Sequence, residues 1–163
     1  MSAIGVEIVD VGLEDALLKI EGIADAPFGE LMEGIGRLVQ GQTRRRIASE
    51  KTSPDGTAWK DNLAGSGVLH DSGALYDSID YQAFPNGVLV GSGLVYSRIH
   101  QLGGTIVPRY MQALKFWWVA GGWVEFAIVK SVTLPARPYL GLSADNRVEI
   151  VEAAEDWLSR LVQ

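Results

Sequence analysis

Apolar and polar positions along this chain follow two periods, and the changes of period divide it into elements. Ile4, Val6 and Ile8 alternate with Gly5 and Glu7, which predicts a half-buried strand over 4–11. After Gly12, the positions Leu13, Ala16, Leu17, Ile20, Ile23 and Ala24 recur at helical spacing. Glu14 and Asp15 stand in that helix's first turn, where the dipole favours negative charge. A second helix starts at Pro27, a residue the first turn tolerates, and keeps Phe28, Leu31, Met32, Ile35, Leu38 and Val39 on one stripe. Gly34, Gly36 and Gly41 each weaken it by up to about 1 kcal/mol if exposed, or else mark close packing against a neighbour. Arg44, Arg45 and Arg46 occupy its last turn.

From Ser49 to Asn62 the residues are those of an exposed loop, turning at Pro54-Asp55-Gly56, with Trp59 as its one large aromatic. Asp71 or Ser72 can cap a short helix bearing Leu75 and Ile79, which leads into a strand through Tyr81 and Ala83. Pro85-Asn86-Gly87 reverses the chain and Val88 to Gly91 returns; Tyr96 to Leu102 reads as one or two helical turns stopped by Gly103-Gly104. A longer hairpin follows, in which Leu114, Phe116 and Trp118 alternate with Ala113, Lys115 and Trp117. Gly121-Gly122 permits its reversal, and Trp123, Val124, Phe126, Ile128 and Val132 carry the returning strand. Pro135 and Pro138 end the sheet because neither donates a ladder hydrogen bond. Ser143 is a natural cap for a final helix with Ile150, Val151, Ala154, Trp157, Leu158 and Leu161 inward and Glu149, Glu152, Glu155 and Asp156 outward. The pattern predicts an α+β fold over 1–163 as one domain: an antiparallel sheet whose long protruding hairpin packs against two N-terminal helices and a C-terminal helix.

Composition narrows the classes. A chain of 163 residues with 47% hydrophobic residues supports one real core and is short for two. The absence of cysteine excludes disulfide stapling and thiolate metal sites and fits folding in a reducing cytoplasm. Neither a basic leader nor a run of about 20 apolar residues occurs, so no membrane span is expected. The formal charge of -6 argues against wrapping tightly round DNA, which needs a surplus of Lys and Arg on the contact face, and leaves room for an acidic conduit.

Catalytic and cofactor patterns fail on inspection. Gly91-Ser92-Gly93 follows a strand, yet Tyr96 stands where a dinucleotide fingerprint needs its third glycine. His70 and His100 lie in separate turns without ligand spacing, and adjacent His70, Asp71 and Ser72 cannot converge as a triad. No catalytic residue, cofactor or metal is therefore expected. Arg44, Arg45 and Arg46 complement the helix dipole and fan around the helix, with contact to DNA or an acidic partner as the alternative. Trp59 anchors its loop on the core or on another subunit, and Tyr96, Arg98 and His100 are ordinary surface or face a partner. Trp117, Trp118 and Trp123 cluster round one Gly-Gly turn. Adjacent strand residues point to opposite faces, so either one face meets another chain or helices cover both.

Taken in order, Pro54-Asp55-Gly56-Thr57-Ala58-Trp59, Leu69-His70-Asp71-Ser72-Gly73-Ala74-Leu75 with Ser78-Ile79, Val88-Leu89-Val90-Gly91, Tyr96 through Gly104, and Ala136-Arg137-Pro138-Tyr139-Leu140-Gly141-Leu142-Ser143 make a distinctive succession. It resembles the phage virion morphogenesis family, the tail-completion proteins of Mu-like and related contractile-tailed phages. The resemblance implies a structural protein of the virion tail top or neck, not an enzyme, assembled in the host cytoplasm. It further implies a ring of copies of itself, hexameric by its place on the tail axis, that meets the tail tube, terminator and head-connector proteins while genome DNA passes through. A tail terminator, a head-completion protein or a DNA-gating module are the alternatives, the last needing Arg44, Arg45, Arg46, Arg109 and Lys115 on one lumen-facing surface.

Overall fold

The computed structural model describes residues 23, 26–62, 67–120 and 122–161. The expected strand over 4–11 and the helix over 13–24, apart from Ile23, lie outside the described residues. Helix α1 (Phe28–Arg45) forms where the apolar stripe predicted it, with Glu30 in the first turn and Arg44 and Arg45 in the last, each sign matching the dipole. Its axis continues through one turn of π-helix, Arg46–Glu50, closed by Lys51 in the left-handed region at φ 56°. This wide turn carries Arg46 and Ile47, both buried, into the centre of the molecule.

Helix α1 packs on the hairpin of β1 (Ile79–Phe84) and β2 (Gly87–Ser92), paired from Ile79↔Ser92 to Phe84↔Gly87. Of the three suspect glycines, Gly36 is the one that marks close packing: a Cβ there would overlap the Tyr81 ring, whereas Gly34 and Gly41 meet nothing within 4 Å. The short helix α2 (Ala74–Asp77) starts from Gly73 at φ 78°, and Ser72 Oγ accepts the Ala74 N–H at 3.4 Å. Ile79, expected on that helix, opens β1 and is fully buried. Helix α3 (Ser97–Leu102) ends at Gly103, where φ is 68° and a Cβ would come within 2.6 Å of Ala136 N. Only glycine meets both demands.

Among the described residues the expected single antiparallel sheet is instead three separate two-stranded ladders, and the two beyond β1–β2 make a jointed arm. At its root β3 (Gly104–Ile106) pairs with β6 (Val132–Leu134), and beyond it β4 (Leu114–Ala120) pairs with β5 (Trp123–Val129). Val132, expected on the returning strand of the long hairpin, belongs to the root ladder instead. Seven residues, 107–113, bulge out on one side of the joint against two, Lys130 and Ser131, on the other, so one continuous ladder cannot form. Among the described residues the outer hairpin packs extensively only on itself. Among the described residues α1 covers β1–β2 and the C-terminal helix packs on α1, and neither packs extensively on this long hairpin, where the expected fold had placed the helices.

Helix α4 (Ala144–Leu161) is capped as expected: Ser143 Oγ accepts the Asn146 N–H at 3.1 Å and Asn146 Oδ1 accepts the Ser143 N–H at 3.3 Å. It runs antiparallel to α1, with Asn146 beside Gln42 at one end and the Trp157 ring 5.5 Å from Phe28 at the other. Glu149, expected outward, turns in to accept Gln42 Nε2 at 2.8 Å and Arg45 Nη2 at 3.1 Å, while Val151 points out at 54% exposure.

The core gathers Ile47, Trp59, Val68, Leu75, Ile79 and Tyr139 around an irregular strap over 136–143. Since the strap lacks ladder partners, side chains from other elements satisfy its backbone. Trp59 Nε1 donates to Pro138 O (3.2 Å), Arg46 Nη1 to Tyr139 O (3.0 Å) and Gly141 O (2.8 Å), and Gln101 Nε2 to Leu140 O (3.2 Å). Gln101 Oε1 in turn accepts the Tyr139 and Leu140 N–H groups at 2.9 and 3.0 Å.

Candidate interaction surface

Register decides what the arm presents. Opposite residues of an antiparallel pair share a face, so Trp117 with Phe126, Val119 with Val124 and Lys115 with Ile128 form one side of the outer hairpin. That side is uncovered: Trp117 is 71%, Val124 68%, Phe126 66%, Ile128 61% and Val119 53% exposed. Lys115 is its only charge. On the other face lie Leu114, Phe116 and Trp118, half-buried, with the Phe116 and Trp118 rings 5.7 Å apart. Trp123 shares that face at the turn and is 78% exposed. From ordinary side-chain areas, the apolar surface left open on the hairpin is roughly 600–700 Å², against about 300–600 Å² for the largest patch on a typical monomer.

The half-buried face looks onto an open groove of about 670 Å³. Its other wall is Ile106, Val132, Leu134 and Pro135 of the arm's root, with exposed Asp61 and Asp71 and the buried Arg137 from the body. Arg137 holds the body side in place: its Nε donates to Lys60 O at 2.9 Å and its Nη2 to Asp61 O at 3.1 Å. Burial lowers its pKa, against the opposing pull of Asp61.

The remaining residues singled out from sequence fall in different places. Trp59 is 8% exposed and anchors its loop on the core of its own chain, with Ser53 Oγ as the second acceptor of its Nε1 at 3.2 Å. Tyr96 is 44% exposed and meets His100 edge-on at 5.8 Å, while Arg98 lies exposed on the same short helix. The three arginines do not share a face. Arg44 donates to Asp77 O and Ile79 O and stacks over Tyr76 at 5.5 Å. Arg45 pairs with Glu50 at 2.9 Å and Glu149 at 3.1 Å, which raise its pKa, while the hydrogen bond from Gln42 and then that from Arg45 lower the pKa of Glu149. Arg46, 1% exposed, donates inward to Tyr139 O, Gly141 O and Asn146 Oδ1, and burial lowers its pKa despite Glu50 at 3.8 Å. Arg46 therefore has no surface to offer a partner.

Sequence reasoning missed Val119, Val124, Phe126 and Ile128 as members of the exposed site. The signal was available in the alternation on both strands once the Gly-Gly turn set their register. Among the described residues there is no group of three or more His, Asp or Glu side chains able to hold a metal, and no helix long and apolar enough to cross a membrane. What the arrangement can do chemically is bury apolar surface against another chain.

A model of the phage virion morphogenesis family matches residues 9–159. No curated protein and no solved structure matches the chain.

Proposed function

Since this chain belongs to the phage virion morphogenesis family, a structural family of the phage particle, we propose that it completes the tail or neck and enables head–tail joining as a ring-forming oligomer around the DNA channel. The observation that carries this reading is the uncovered outer hairpin. A monomer in water gains nothing by displaying Trp117, Val119, Val124, Phe126 and Ile128 together, while an assembly component buries them on contact. The ring is six-fold by the position on the tail axis that the resemblance implies, and its axial neighbours are tail and head-connector proteins. Arg44, Arg45 and Arg46 being turned largely to their own chain weighs against the DNA-gating alternative.

Deleting the gene tests the assignment. The expected result is DNA-filled heads and finished tails that do not combine, with joining restored by adding the purified protein to the lysate. Tails of variable length would make it a terminator, and heads that lose their DNA a head-completion protein. A block before DNA packaging would overturn the tail-completion reading altogether. Trp117→Ser or Phe126→Ser should dissociate the oligomer and leave far-ultraviolet circular dichroism unchanged, because neither side chain is buried in the subunit. A variant that unfolds instead would place these residues in the core and remove the hairpin as an interface.

A further inference from the structure

We propose that the groove beneath the outer hairpin receives the outer hairpin of a second copy of this chain, so that subunits join head to tail. This rests on the ring-forming reading above. The exposed apolar surface of one hairpin, roughly 600–700 Å² from ordinary side-chain areas, approaches the 800 Å² or so that each partner contributes to a stable interface. The groove, at about 670 Å³, has the capacity of sites that enclose sizeable ligands and is walled by Phe116, Trp118, Val132 and Leu134.

Symmetry selects between the ways two copies can meet. A two-fold contact of exposed face on exposed face would cover Trp117 and Phe126 but leave both grooves, and Trp123 at each tip, open to water. A head-to-tail contact lets the tip of each hairpin enter the groove of the next subunit, so donor and acceptor surfaces are closed by one repeated interaction. Such a contact propagates, and it closes into a ring when the rotation between subunits divides the circle. The joint at Lys130 and Ser131, where the ladder is broken, lets the angle of the hairpin follow that rotation.

The chain contains no cysteine, so single engineered thiols report the contact directly. Val124→Cys marks the exposed face of the hairpin beside its tip and Thr133→Cys marks the groove; both positions are exposed and should leave circular dichroism unaltered. Oxidising a mixture of the two purified variants should yield a disulfide-linked dimer that neither yields alone. The double variant should give a ladder of cross-linked species ending at the closed ring. Cross-linking of Val124→Cys by itself would establish a two-fold contact of the exposed faces and overturn the proposal. An oligomer by light scattering with no mixed cross-link would place the contact elsewhere while sparing the ring. A parent chain that stays monomeric would overturn both.

Discussion

Among single residues, Arg46 shows how much a side chain can hold by being unavailable. Its guanidinium ends in three acceptors on the strap and on α4, so it fastens α1, the core and the last helix at one point. Removing a buried cation from such a network strands its acceptors, and Arg46→Met should cost about 3–5 kcal/mol of stability, read as a lower urea midpoint. Arg46→Lys should recover only part of this, since one ammonium cannot span the three positions. A loss under about 1 kcal/mol for the Met variant would show that the strap is held without it. His100 belongs to the same scale. Burial, and secondarily the charge of Arg137, hold its pKa below the ordinary value, and its Nδ1 is inaccessible with no hydrogen-bond partner among the described residues. The fold thus favours neutral imidazole. Above pH about 6.5 both folded and unfolded chains carry it neutral and its contribution is complete. As the pH falls below that value the unfolded chain takes up a proton that the fold resists, so stability drops until the depressed folded pKa is passed. Thermal unfolding followed from pH 7.5 to 5 should show this fall, and His100→Gln should flatten it; equal slopes in parent and variant would assign the fall to other groups.

At the level of elements, α1 carries a pattern that its amphipathic stripe does not explain. Gly36 lets the Tyr81 ring lie against the helix backbone, and Tyr81 Oη reaches on to Glu33 at 3.0 Å and accepts from Arg37 Nε at 3.2 Å. Gly36→Ala should therefore destabilise by about 1–3 kcal/mol through overpacking, whereas Gly34→Ala and Gly41→Ala, facing open space, should stabilise by up to about 1 kcal/mol through helix propensity. Denaturant midpoints of the three variants decide it, and a stabilising Gly36→Ala would mean that the α1–β1 contact is loose. The arm is the opposite kind of element. Its residues alternate as regularly as those of β1, but among the described residues no helix lies over its outer face. Glu149, Ile79 and Val132 are illegible in the sequence for one shared reason: each continues a local period, and in each case a partner remote in sequence, or a break in the ladder, overrides that period.

For the whole molecule, a formal charge of -6 and arginines engaged within their own chain leave little basic surface to hold DNA phosphates. The purified protein should give no retarded band with linear duplex DNA at roughly 150 mM salt, where non-specific binding needs a basic contact face. Binding that weakens steeply with added salt would revive the DNA-gating alternative. Sequence alone determined the positions of α1, the two hairpins, the Ser143 cap and the family, because these depend on periods, turns and caps that act within a few residues. It also identified the tryptophan hairpin as the place where the chain has more apolar surface than one face can absorb. Only the tertiary structure decided which surfaces are spent inside. Trp59 and Arg46 are taken into the core by the strap, 79 residues further along for Trp59 and 93 and 95 for Arg46, and Trp117 is left in water. Burial is a property of pairs of surfaces brought together by the fold, and no local pattern specifies which distant element arrives to cover a given face.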